Sequence, residues 1–117
     1  MSKDKIGKMG EIESTRFFRD NGYKILNVNF RTRFGEIDII CTKGNYIIFA
    51  EVKTRCEDSI AKPREFVDYN KQSKIVNTAM IYLSSNKFKL QPRFDVVEVV
   101  HSKSGVKINH IKNAFGG

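Results

Sequence analysis

The sequence predicts an α/β fold in which a mixed central sheet of about five strands is flanked by α-helices. Three observations carry this expectation. Segments with helical spacing of apolar residues alternate with segments rich in β-branched residues, in the order α, three β, α, two β. Two apolar β-type runs flank a Gly-Asn pair, the signature of a tight hairpin. The closing half, "RFDVVEVV" and "VKIN" around "SKSG", repeats the strand pattern after the second helix.

The elements follow in order. Residues 4–20 read as a helix stopped by Asn21-Gly22, a usual left-handed exit. "YKILNVNF" reads as a first strand, and "GEIDIICTK" and "YIIFAEVK" as the hairpin. Residues 54–64, with Pro63 and no period, read as a loop. From Glu65 to Leu83, Phe66, Ile75, Val76, Ala79, Met80 and Leu83 recur at helical spacing.

The chain has 117 residues, the size of one domain spanning 1–117, with 40% hydrophobic and 29% charged residues. Its net charge of +8 points to a polyanion, nucleic acid before a membrane surface. No apolar run approaches the roughly 18 residues needed to cross a bilayer, and the polar start lacks a secretory signal, so a cytoplasmic location without membrane contact is expected. Cys41 and Cys56 form neither a zinc knuckle nor a disulfide framework, and Cys41, alternating with Ile37 and Ile39, reads as a buried small hydrophobe.

The hairpin poses the chemical question. With Gly44 and Asn45 as its two turn residues, Asp38 falls opposite Glu51 and Glu36 opposite Lys53, all on one face. Two carboxylates about 4 Å apart repel by on the order of 4 kcal/mol at an effective dielectric near 20, so something must offset them. A shared proton, a nearby cation or a divalent metal would do so, and hard oxygen ligands suit Mg²⁺ or Mn²⁺. The competing reading is a structural network in which Lys53 and arginines neutralise the acids. On the first helix, Gly7, Gly10, Glu11, Ser14 and Phe18 share one sector, whose small residues permit close approach to a sheet. Glu11 is thus either a third site carboxylate or a paired helix acid, and Glu13 points away.

With Glu11, Asp38, Glu51 and Lys53 in place, the chain resembles the PD-(D/E)XK nuclease superfamily, "EVK" at 51–53 standing as its (D/E)XK. More closely it resembles the YraN-like family, UPF0102, of uncharacterised proteins related to Holliday junction resolvases. The resemblance rests on "GKMGE", "GEIDII", "FAEVKTR", the helix start at Lys71-Gln72, "RFDVVEV" and "HIKNAF". Ile37 precedes Asp38 where the superfamily name has proline.

The resemblance implies a restriction-endonuclease-like core and a Mg²⁺-dependent endonuclease acting on DNA, with branched or structured DNA as one substrate class. It implies that Asp38, Glu51 and the Val52 carbonyl hold the metal, that Lys53 positions or activates water, and that Glu11 is the helix acid of related resolvases. Symmetric cleavage by such resolvases suits a homodimer, although no interface signature is legible. Lys71 and Gln72 begin the second helix, where they steady a phosphate or water unless Lys71 is simply a solvated helix lysine, and Arg31, Arg33, Arg55 and Arg64, read as loop residues, grip backbone phosphates unless they are solvated surface charges. Asp95 reads as a partner of Arg93 or Lys53 ahead of a metal ligand, and His101 and His110 read as isolated residues near strand ends with no chemistry assigned. Two other functions stay open: a nucleic-acid-binding module with a vestigial nuclease site, and an interaction subunit of a larger nucleic-acid complex.

Overall fold

The computed structural model describes residues 3–57, 67–86 and 89–116. The elements are α1 (Lys3–Asp20), β1 (Lys24–Thr32), β2 (Gly35–Lys43), β3 (Tyr46–Cys56), α2 (Tyr69–Ser85), β4 (Gln91–Ser102) and β5 (Gly105–Phe115). The five strands lie in the order β1-β2-β3-β4-β5, with β3 and β4 parallel and the other neighbours antiparallel. This is an α/β mixed sheet with a helix on each face, consistent with a restriction-endonuclease-like core. The parallel pair requires a crossover, and α2 supplies it.

Local chemistry sets the element ends. At the end of α1, the Tyr23 N–H reaches the Phe18 carbonyl and the Gly22 N–H the Arg19 carbonyl, while Gly22 takes φ +84°, a Schellman stop. Asp68 caps α2 by accepting from the Lys71 N–H at 2.8 Å. The helix therefore starts at Tyr69 rather than at Glu65, since the capping residue precedes the first helical turn; Glu65 and Phe66 lie outside the described residues. The β2–β3 turn is Gly44-Asn45, with positive φ at Gly44 alone, as in a type II′ turn, and Lys43 pairs with Tyr46 as the sequence predicts.

The core lies on both sheet faces. Ile40, Ile47 and Phe49 pack with Ile75, Ala79 and Tyr82 of α2. Phe18 of α1 packs with Ile39, Cys41, Ile48, Ala50, Val97 and Val99. Cys41 is fully buried, as its alternation predicts, and burial pushes its thiol pKa up to about 12, leaving it inert at neutral pH. Among the described residues no helix is long and apolar enough to cross a membrane.

Asp95, wholly buried, shows how this fold treats a structural acid. Arg93 clamps it through Nε at 2.9 Å and Nη2 at 2.8 Å, His110 Nε2 lies 2.6 Å away, and the Asn113 N–H donates at 3.0 Å. Burial alone would raise its pKa, but these hydrogen bonds outweigh it and hold the carboxyl below its usual range. Arg93 is thus the Asp95 partner. His110 is not isolated near a strand end: its ring stands edge-on to Phe17, Phe18 and Tyr23.

Gly10 faces β3 so closely that an added Cβ would fall on the Thr54 hydroxyl, whereas nothing lies within 4 Å of one at Gly7. Thr54 is β-branched and stiff, so the clash outweighs the helix propensity alanine gains. Gly10→Ala should lower stability by about 1–2 kcal/mol, while Gly7→Ala should be neutral or raise it by up to about 1 kcal/mol, both read from thermal denaturation.

Candidate metal centre at the splayed hairpin

The β2–β3 ladder runs from Lys43–Tyr46 to Ile39–Ala50 and stops there, while β3 continues beside β4 to Cys56. Beyond that point the β3 N–H groups facing β2 lose their strand partner. At Val52 the replacement is a side chain: Asp38 Oδ2 accepts from the Val52 N–H at 2.8 Å. Asp38 is therefore anchored at the fork of two strands, its second carboxylate oxygen left for other chemistry.

β1 and β2 change their facing at the same level. Gly35 packs against Lys74 and Thr78, and Ile37 joins the α2-side core, yet Ile39 and Cys41 belong to the α1 side. Strict alternation would keep all four on one side, so the pleat shifts phase at Asp38. Across from it, between the pairs Val28–Ile39 and Phe30–Ile37, Asn29 adopts φ +57°. Asparagine tolerates this left-handed conformation better than most residues. The amide nitrogen of Asn29, turned as only a donor between two acids can be, reaches Glu11 Oε1 at 3.1 Å and Glu36 Oε1 at 3.2 Å.

The result is a convergence of acids. Glu11, Glu36 and Asp38 each bring one carboxylate oxygen within 4.8 Å of the others, a group of three potential metal ligands. Glu11, Asp38, Glu51 and Val52 line one open cavity of ≈ 570 Å³ with Thr54 and Arg55. Hard carboxylate oxygens of this kind fit a divalent cation such as Mg²⁺ or Mn²⁺. Burial, and next the charge of Glu51, pushes the Asp38 pKa up to about 7 from 3.8; the Val52 hydrogen bond opposes the rise, and Glu11 and Glu36 add to it.

The four hairpin side chains do not share one face. Glu36 turns to Glu11 and Asn29 and pairs with Arg31 at 3.3 Å, because of the phase shift at Asp38. Glu51, 4% exposed, pairs with Lys71 of α2 at 2.6 Å. Burial works against the Lys71 charge, but the bond and charge of Glu51 prevail and raise its pKa. Lys53, two residues beyond Glu51, lies beside the Lys71 side chain.

The remaining candidates are placed as follows. Gln72 donates Nε2 to the Val67 carbonyl at 2.7 Å, spending its amide on the α2 entry. Arg31 and Arg55 lie on strands rather than in loops; Arg55 pairs with the buried Glu98 at 3.4 Å, which ties it to β4. Arg33 occupies the β1–β2 turn with its guanidinium 4.9 Å from the Phe34 ring centroid. Arg64 lies outside the described residues. Sequence reasoning put Glu36 on the face of the hairpin acids without giving it a role in the site, and missed Asn29 altogether. Glu36 carried a signal, standing two residues from Asp38 on the same strand.

The α/β core, with a carboxylate cluster at a strand fork, is consistent with a restriction-endonuclease-like fold. Comparison with known proteins narrows this. The model of "Uncharacterised protein family UPF0102" matches residues 10–99. The chain is 44% identical to a UPF0102 protein of Caldanaerobacter subterraneus, over 98% of both chains. It is 44% identical to one of Thermodesulfovibrio yellowstonii, over 98% of this chain and 99% of the relative. It is 48% identical to one of Clostridium novyi, over 94% of both. The chain belongs to the UPF0102 family.

Two predictions follow from the fork. A carboxyl whose folded pKa lies above its unfolded value favours folding in its protonated form, so the Asp38 contribution is full below pH 3.8 and is lost as pH rises to about 7. Asp38→Asn should therefore stabilise the metal-free protein at pH 8 by on the order of 1–2 kcal/mol after solvent screening, and should flatten the fall in Tm between pH 5 and pH 8. At the opposite strand, Asn29→Ala should cost about 1–2 kcal/mol in the same melts, while Asn29→Gly, which accepts positive φ, should recover the backbone share of that loss.

Proposed function

We propose that this protein is a divalent-metal-dependent endonuclease that hydrolyses phosphodiester bonds in DNA, branched or structured DNA included. The observation that carries the reading is the convergence of Glu11, Glu36, Asp38 and Glu51 at the strand fork, with Asp38 raised to about 7. A structural acid in the same protein, Asp95, is fully hydrogen-bonded and held low, so the Asp38 cluster is under-satisfied by this fold's own standard. Clefts that hold carboxylates in such a state are where catalytic groups concentrate.

In this reading Asp38 and Glu51 hold Mg²⁺ or Mn²⁺ beside the Val52 carbonyl, and Glu11 and Glu36 supply further oxygens. The bound ion supplies neutralisation of the charge that builds on the phosphoryl oxygens, and acidifies water. Lys53 positions the attacking water. Lys71, released from Glu51, steadies a phosphate oxygen. The net charge of +8 and Arg33 at the turn favour a polyanionic substrate, gripped through its backbone.

A second reading is favoured by the Glu51–Lys71 pair at 2.6 Å. There Lys71 permanently supplies the positive charge the acids need, and the protein is a nucleic-acid-binding module with a vestigial site. Incubation with duplex, flap and four-way DNA in Mg²⁺ or Mn²⁺ separates the two. The nuclease reading predicts cleavage by the wild type and a loss of at least about 100-fold in Asp38→Asn and Lys53→Ala at unchanged DNA affinity. Binding without cleavage by the wild type would leave the module reading in possession.

A further inference from the structure

We infer that the Phe34 ring at the β1–β2 turn is a stacking platform for an unpaired base of the DNA substrate, flanked by Arg33 and Lys74 for its phosphates. This inference rests on the DNA reading above and specifies which feature of the DNA the protein engages.

Phe34 is 48% exposed on a two-residue turn, where a large aromatic ring gains little from the core. The turn is tied down nonetheless: the Phe34 N–H donates to Thr32 Oγ1 at 3.1 Å, and that hydroxyl reaches the Gly35 carbonyl at 3.4 Å. One side of the ring carries the Arg33 guanidinium at 4.9 Å from the centroid, which orients the ring and brings positive charge to it. A ring held in place yet open to solvent offers a π-face to a partner without a large ordering cost.

The surroundings select the partner. Phe34 lines a groove of ≈ 580 Å³ together with Arg31, Arg33, Glu36 and Lys74. Among the described residues neither Arg33 nor Lys74 forms an ion pair. Lys74 and Glu36 also line the adjoining ≈ 180 Å³ pocket with Asp38, Glu51 and Lys71. The groove thus runs from the aromatic turn to the acids. An apolar protein partner would not select such cations, and an intact duplex hides its base faces in its own stack. An unpaired nucleotide presents both a π-face and a phosphate, and recognition of single strands combines aromatic stacking with basic contacts.

The chain contains no tryptophan, so Phe34→Trp places a single indole reporter at the turn. It is titrated in Ca²⁺ with a duplex carrying a five-nucleotide 3′ tail and with the same duplex blunt, binding being followed independently by anisotropy of a distal label. The tailed duplex should quench the indole, and the blunt duplex should not. Phe34→Ala should bind the tailed duplex at least about fivefold more weakly and the blunt duplex unchanged. Indole emission that stays constant while anisotropy reports binding, equal affinity of Phe34→Ala and wild type for the tailed duplex, or no binding of either DNA would overturn the inference. Quenching without cleavage in Mg²⁺ would remove the nuclease reading and leave the platform standing.

Discussion

The hydrogen bond from the Val52 N–H to Asp38 is the interaction on which the rest of the site depends. A buried N–H without a partner costs about 1–3 kcal/mol, so β3 can part from β2 only where something else takes over its donors. Asp38 does this at the first step beyond the ladder, and the bond that closes the fork also fixes the carboxylate. From there the placement of the others follows. The fork opens the sheet toward α1, where the close approach at Gly10 brings Glu11 down beside it, and toward α2, where Lys71 reaches Glu51. The phase shift of the pleat at Asp38 and the left-handed Asn29 across from it send Glu36 to the α1 side.

The same small protein holds a buried acid and a half-buried one in opposite states. Asp95 has a bidentate arginine, a histidine and a backbone amide, and its charged form is favoured. Asp38 has one backbone amide and three acidic neighbours, and its charged form is disfavoured. The fold offsets the surplus charge in four ways: a proton on Asp38, an ammonium on Glu51, a guanidinium on Glu36, and an amide between Glu11 and Glu36. Each of the four can be withdrawn by a small movement or a proton loss. Asp95 shows that the chain can build a fully satisfied acid, and the cluster around Asp38 is held more loosely than that.

Much of this was legible in the sequence. Gly44-Asn45 set the hairpin register as far as Ile39–Ala50, where the ladder ends just short of the Asp38–Glu51 and Glu36–Lys53 pairs that the turn predicts. The small residues of α1 marked its sheet-facing stripe, and Ser14 and Phe18 are indeed fully buried. What was not legible depends on backbone events without a side-chain period. The pleat shift at Asp38 turns residues that alternation would keep on one face to different sides, so Glu36 pairs with Arg31 and Glu51 with Lys71 although both still border the open fork. Asn29 carries no apolar or charge pattern, and its conformation is fixed by the strands around it. Arg31 and Arg55 looked like free cations because their acids, Glu36 and Glu98, sit on neighbouring strands whose alignment a linear reading does not supply.

The central claim is that the acids at the fork form one divalent-cation site organised by Asp38. A crystal of the protein soaked in Mn²⁺ at neutral pH, with anomalous scattering recorded at the manganese edge, tests this most directly. The account predicts one strong peak per chain in the cavity lined by Glu11, Asp38 and Glu51, within ligand distance of Asp38 and with Glu51 drawn away from Lys71. An absence of any peak there, with the Glu51–Lys71 pair intact at saturating Mn²⁺, would contradict it.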